Sequence, residues 1–142
     1  MRRIALVGTT NSGAQAPFDD QSFDIWGVSA RAVYVTRADR WFELHRLDGE
    51  PKEWADNWRK TVKKFSHDVE LMMFYPEPDL GPKVVTYPAE RITARFGTYF
   101  MTSTFSWMMA LAIDEMCPVS KKWKPGEIAL YGVEMEYGTE YR

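Results

Sequence analysis

The segment Thr102-Ser-Thr-Phe-Ser-Trp-Met-Met-Ala-Leu-Ala-Ile113 limits the fold more than any other part of the chain. It is apolar on almost every side, so no polar stripe is left to face water, and a helix of that kind belongs in a core. Its start is three small hydroxyl residues, Thr102–Ser103–Thr104, an uncommon opening for a segment so apolar. A helix start carries unpaired N–H groups and a partial positive charge, so it can hold a phosphate. The run Glu127-Ile-Ala-Leu-Tyr-Gly-Val-Glu-Met135 then reads as a strand ending in Gly132. A helix with a hydroxyl-rich start followed by a strand is half of a nucleotide-binding α/β unit.

The remainder alternates in the same way. Arg3-Ile-Ala-Leu-Val7 is a strand that runs into Gly8-Thr-Thr-Asn-Ser-Gly13. Such an opening lets loop N–H groups approach a phosphate, and Gly8, Thr9, Asn11 and Ser12 are the candidate contacts. It is neither the dinucleotide fingerprint nor a P-loop: the glycines have the wrong spacing and there is no Lys. Phe23 to Ser29 is a second strand, Val33 to Thr36 a short element, and Asp39 to His45 a third strand. Lys52 to Phe65 reads as a helix with Trp54, Trp58, Thr61, Val62 and Phe65 inward and basic residues outward. Glu70 to Tyr75 is a strand stopped by Pro76, and Val84 to Tyr87 an extended piece. Ala89 to Phe96 is a helix closed by Gly97. The expected architecture is α/β and three-layered, a Rossmann-like, mostly parallel sheet with helices on both faces, in one domain over 1–142. Residues Glu136 to Arg142 stop soon after the last strand, where a covering helix is normal. The expectation is that the chain is a shortened form of a longer protein, or that a homo-oligomer covers that face.

Composition narrows the partners. The chain has 142 residues, enough for one core, and a net charge of -2, which argues against nucleic acid held by bulk electrostatics. No apolar run reaches the roughly 18 residues of a membrane span. The lone Cys117 excludes an intramolecular disulfide, fits a reducing compartment and so a cytoplasmic location, and reads as a buried thiol. Two His and one Cys, far apart, give no metal-ligand spacing.

Three segments together, Ile4 to Ser12, Thr102 to Ile113 and Glu127 to Met135, resemble a Rossmann-like superfamily. It includes one family of bacterial sialyltransferases, the motility-associated glycosyltransferases and the archaeal pterin diphosphokinase-like proteins. In those, a first strand ends in a Gly-x-x-x-Ser loop, a Thr-Ser or Ser-Ser pair opens a Met- and Ala-rich helix, and a strand reads I-x-L-x-G-x-D. The stretches Trp26-Gly-Val-Ser29 and Trp41-Phe-Glu-Leu-His45 add a likeness to phage proteins of the same kind, which would place the chain in a host cytoplasm. The resemblance implies that Gly8, Asn11, Ser12, Thr102 and Ser103 lie near the nucleotide of a nucleotide-sugar. The sequence departs from the pattern twice. Glu134 stands where the family has Asp, and no His follows His67, whereas the sialyltransferases carry a catalytic His beyond the final strand.

Among polar residues, Glu43 and His45 share one face of the third strand and are the candidate acid/base pair, aimed at the crevice where α/β ligands bind. The plainer alternative is a strand-end pair that satisfies neighbouring backbone or Arg46. Asp39 and Arg40 read as a solvated turn, and His67 and the Lys121, Lys122 and Lys124 group as exposed loop. Glu134 is the candidate for ribose or substrate contact beside Gly132. Two functions follow: a nucleotide or nucleotide-sugar binding enzyme of glycosyltransferase type, or a non-catalytic nucleotide-binding or interaction module on the same fold.

Overall fold

The computed structural model describes residues 1–28 and 34–133. The sequence elements Ser29, Val33, Glu134 and the acidic and Tyr-containing residues after it lie outside that range. The strands are β1 (Arg2–Val7), β2 (Phe23–Val28), β3 (Arg40–Glu43), β4 (Glu70–Met73), β5 (Val84–Thr86) and β6 (Gly126–Tyr131). The helices are α1 (Lys52–Lys63), α2 (Ala89–Phe96) and α3 (Thr104–Met116). One sheet holds all the strands in the order β5-β4-β3-β2-β1-β6, and every neighbouring pair is parallel. The α/β Rossmann-like reading holds.

The topology follows from burial on both sheet faces. Along β1, Ile4 and Leu6 point to one face and Ala5 and Val7 to the other, and all four are buried. Ala5, Ile25, Trp41 and Leu71 share a core with Ala55, Trp58 and Val62 of α1. Ile4, Leu6, Trp26 and Phe42 share a second core with Ile92 of α2 and Met108 and Leu111 of α3. Strands β1 to β5 therefore step across the sheet with α1 on one face. The chain then returns over the other face through α2 and α3 and sets β6 beside β1. Because the strand order reverses between β1 and β6, that gap is the topological switch point, and the carboxyl ends of the strands there are where open α/β sheets bind ligands.

The two Trp-containing stretches prove to be one packing unit. Gly27 pairs in register with Trp41. A Cβ at Gly27 would run into the Trp41 ring, with Cε3 2.5 Å and Cη2 2.8 Å away and Cζ3 nearer still. On the opposite face Trp26 and Phe42 meet with ring centroids 5.4 Å apart. Gly27 is thus the slot that lets a Trp lie flat across a neighbouring strand.

Several expectations need correction. β3 stops at Glu43, so His45 lies in the bend after the strand rather than on it. Trp54 is 37% exposed while Trp58 is buried, because the inward stripe of α1 is Ala55, Trp58 and Val62. Arg40 is no solvated turn: its guanidinium bridges Glu70 (2.8 Å) and Glu115 (2.5 Å) and lies 4.4 Å from the Trp26 ring centroid. Asp39 accepts from the Ile25 N–H at 2.7 Å and tethers the loop to β2. Cys117 is only partly buried. α3 buries Met108, Ala110, Leu111 and Ala112, yet Phe105, Met109 and Ile113, four residues apart, form a half-exposed apolar stripe. Among the described residues, no helix is long and apolar enough to cross a membrane.

Candidate functional site

Two constellations occupy the carboxyl-end edge of the sheet. The first is at the switch point. The Gly8 N–H donates to the Tyr131 carbonyl (2.8 Å) and the Thr10 N–H to the Gly132 carbonyl (3.2 Å). In return the Gly132 N–H donates to Ser12 Oγ at 2.8 Å. The loop after β1 and the end of β6 are therefore laced together. Gly132 sits at φ +69, where L side chains are disfavoured. A Cβ at Gly8 would be driven into the Gly132 carbonyl oxygen and lie 2.8 Å from the Phe105 ring. Two glycines are needed because two backbones touch. The Tyr34 hydroxyl donates to the carbonyls of Gly8 (3.1 Å) and Thr10 (2.9 Å) and braces the loop from the other side.

Of the residues expected to hold a nucleotide, Gly8, Thr9, Asn11, Ser12 and Gly132 thus come together, and Phe105 brings the first turn of α3 against them. Thr9 and Asn11 are exposed, whereas Gly8 and Gly132 are buried and Ser12 Oγ already accepts a bond. Residues Asn11–Gln15, Ser12 among them, form a short 3-10 turn instead of a helix. Thr102 and Ser103 are exposed. Ser103 is the N-cap of α3 in a capping box: its N–H donates to Ser106 Oγ (3.0 Å) and the Ser106 N–H donates to Ser103 Oγ (3.4 Å). The hydroxyl start of this segment thus has a local reason, which is to end the helix cleanly beside the switch point. The positive end of the dipole of this 13-residue helix lies at the Ser103 cap. Glu134, the candidate for ribose contact, lies outside the described residues.

The second constellation is at the end of β3. Glu43 is 1% exposed. Its Oε1 accepts the His45 backbone N–H (3.0 Å) and lies 2.7 Å from His45 Nδ1. Among the described residues, Oε2 is buried and has no hydrogen-bond partner. Burial pushes the Glu43 carboxyl above its usual range, and the two bonds from His45 pull it back only in part. The His45 side chain is 58% exposed. A buried carboxylate on Nδ1 places the ring proton there and leaves Nε2 as the nitrogen that can take up a proton from a ligand. The bend after β3 makes this contact: on a continuous strand the two side chains would stand about 7 Å apart along the chain. In the sheet, β3 lies two strand spacings, roughly 10 Å, from β1.

A cavity of about 360 Å³ lies between the ends of β3 and β4, with Arg46, the residue after His45, on its wall. A larger one of about 800 Å³ opens elsewhere, beside Arg91, Arg95, Asp114 and Val119. Glu115 on its wall is tied to Arg2 and Arg40 at the amino ends of β1 and β3. That larger cavity therefore opens on the opposite edge of the sheet from the acid/base pair, and its cations are already spent: Asp114 accepts from both Arg91 and Arg95 at 2.9 Å. We place the candidate site at the carboxyl-end edge because chemistry and topology coincide there.

His67 is exposed, as expected. Among the described residues, no group of three His, Cys, Asp or Glu side chains is placed to hold a metal ion. The Tyr34 brace and the Arg46–Tyr75 cavity were not visible in the sequence. A lone Tyr after a loop carries no sign of its partner, and a cavity between two strand ends depends on strand order. Comparison of the chain with family models, with curated proteins and with solved structures found no match.

Proposed function

We propose that the carboxyl-end edge binds a nucleotide or nucleotide-sugar and transfers its glycosyl group, with His45 as general base. The observation that carries this reading is the Glu43–His45 pair. A buried carboxylate with one orphaned oxygen costs stability, and here its other oxygen is aimed at an exposed imidazole beside the crevice. The phosphates lie by Thr9, Asn11 and the start of α3. In the transfer, an acceptor hydroxyl gives its proton to His45 Nε2 as its oxygen forms a bond to the anomeric carbon. The bond from that carbon to the phosphate oxygen breaks, and the electron pair leaves with the nucleotide. Helix-start N–H groups stabilise the charge that develops on the leaving phosphate. Glu43 holds the imidazole in the required tautomer and steadies the imidazolium. The resemblance of the three segments to glycosyltransferases supports this reading. Here the base precedes rather than follows the final strand. A cytoplasmic location, in a phage-infected host, completes the proposal.

A non-catalytic nucleotide-binding or interaction module is the second reading. It is favoured by the lacing of Ser12 to Gly132 and of Gly8 to Phe105, which gives those residues a structural reason without any reaction.

The test is a thermal-shift screen with CMP, UDP, ADP, GDP and their sugar conjugates. A ligand at 100 times its Kd adds about 2.7 kcal/mol. For a chain of 142 residues that is about 9 °C in Tm. Absence of a shift with every ligand defeats nucleotide binding in both readings and leaves only an interaction module. Where one binds, loss of turnover in His45→Ala with retained binding supports the enzyme, and no turnover in the wild type supports the module.

A further inference from the structure

The cavity between β3 and β4 stands apart from the phosphate end of the crevice. Arg46, Leu47 and Asp48 line it from the β3 side and Phe74, Tyr75 and Glu77 from the β4 side. Arg46, the residue after His45 in the chain, is the wall residue nearest in sequence to the acid/base pair. Its volume of about 360 Å³ falls in the range of about 300–1,000 Å³ usual for small-molecule sites.

Its charges cancel in pairs. Arg46 Nε is 3.2 Å from Asp48, and Arg59 grips Glu77 with both Nε and an Nη at 2.8 Å. A phosphate would meet two carboxylates and a cation two guanidiniums, so neither is the natural occupant. A neutral ligand with many hydroxyls is. The Arg46–Asp48 pair is strongly solvated, so water has already reduced its worth and both groups can turn to a ligand. The guanidinium donates and the carboxylate accepts, which suits neighbouring hydroxyls on one sugar edge.

The wall supplies the other half of carbohydrate recognition, a flat apolar surface. Tyr75 is 48% exposed, with the Arg46 guanidinium 4.5 Å from its ring centroid. A flat group thus already sits over that ring, and the C–H face of a pyranose has the same demand. Phe74, on the same wall, is held edge-on by Tyr87 (5.2 Å) and Trp107 (5.1 Å), so that part of the wall is preorganised.

We propose that the Arg46–Asp48–Tyr75 cavity is the acceptor subsite, and that it takes a neutral sugar whose reacting hydroxyl is presented to His45. The inference rests on the transferase reading above. It orders the edge of the sheet as acceptor at β4 and β3, base at the end of β3, and donor phosphates at β1 and β6.

Amide and side-chain NMR signals of the full chain are followed during titration with the methyl glycosides of galactose, glucose and N-acetylglucosamine, and separately with cytidine. The expected result is that one glycoside moves the Arg46, Asp48 and Tyr75 signals. Tyr75→Leu then weakens its binding about fivefold or more, and Asp48→Asn by a similar factor, with Tm close to wild type because both side chains are solvated. A Tyr75→Leu protein that does not fold leaves Asp48→Asn and the wild-type shift map to decide. Cytidine moving these signals in place of every glycoside overturns the inference. So does a glycoside that binds while no nucleotide does, which leaves a sugar site without transfer. If nucleotides bind at the β1–β6 loops and no glycoside reaches the cavity, the acceptor subsite fails while the nucleotide reading stands.

Discussion

Gly27→Ala tests the packing unit that sets β3, and with it the position of Glu43. In register, Gly27 faces Trp41, and the added methyl carbon would meet ring atoms at 2.8 Å and less. Ordinary carbon contacts lie near 3.5–4.0 Å, so the ring must move by about an ångström or the strands must part. Trp41 has no free direction. It is 1% exposed, its ring meets Phe65 edge-on at 5.3 Å, and it shares a core with Trp58 and Val62 of α1. Overpacking typically costs about 1–3 kcal/mol, and a boxed indole on a paired strand belongs at the upper end. Replacing Gly with Ala in a strand returns about 0.5–1 kcal/mol of backbone entropy, so the net loss is about 2 kcal/mol. Urea unfolding of Gly27→Ala, Trp41→Leu and the double variant gives the answer. The single Gly27→Ala loses about 2 kcal/mol, or about 7 °C in Tm. In the Trp41→Leu background the same change is neutral, because a leucine leaves the slot open. A cost below about 0.5 kcal/mol, or the same cost in both backgrounds, would show that Trp41 does not occupy that slot.

Other outcomes follow from the two constellations. Ser12→Ala removes the acceptor of the Gly132 N–H and costs about 1–2 kcal/mol in chemical denaturation, whereas a surface serine would cost nothing measurable. Gly132→Ala costs more, since it adds strain at φ +69 to a close approach on Gly8; equal stability of wild type and variant would mean the loops are not laced as described. Glu43 gives a pH signature. Its folded-state carboxyl binds a proton more tightly than the unfolded chain, whose value is near 4.5. Its stabilising contribution is fully present below that pH and is lost as pH rises through the raised folded-state value. Within that window stability falls by up to about 1.4 kcal/mol per pH unit, and Glu43→Gln abolishes the slope; an unchanged profile would mean that the carboxyl titrates as it does in water.

The fold was largely legible because it rests on local signals. Apolar runs of strand length, Pro76 after β4, and Gly97 at φ +73 after α2 each declare an element or its end. The parallel sheet followed from alternation of strands and helices. Strand order did not, since nothing in β6 itself says that it lies beside β1. The candidate site was legible as residue types but not as roles. Gly8, Ser12 and Gly132 were visible as a polar, flexible pair of loops, yet their lacing depends on backbones more than a hundred residues apart in sequence. Glu43 and His45 were found through strand alternation, but their contact comes from the bend that ends β3. Arg40 was misread because its partners, Glu70 and Glu115, come from distant elements. Trp54 was misread because helical spacing cannot tell which side of a wide apolar stripe turns inward.

Amide chemical-shift mapping during titration with CMP, UDP, ADP and GDP tests the central claim most directly. The account predicts that one of them moves the signals of Gly8 to Gly13, Ser103 to Phe105 and Glu43 to Arg46 together, and leaves Arg91, Arg95 and Asp114 still. Shifts confined to those last three would place the ligand in the larger cavity on the opposite edge of the sheet, and would contradict the account.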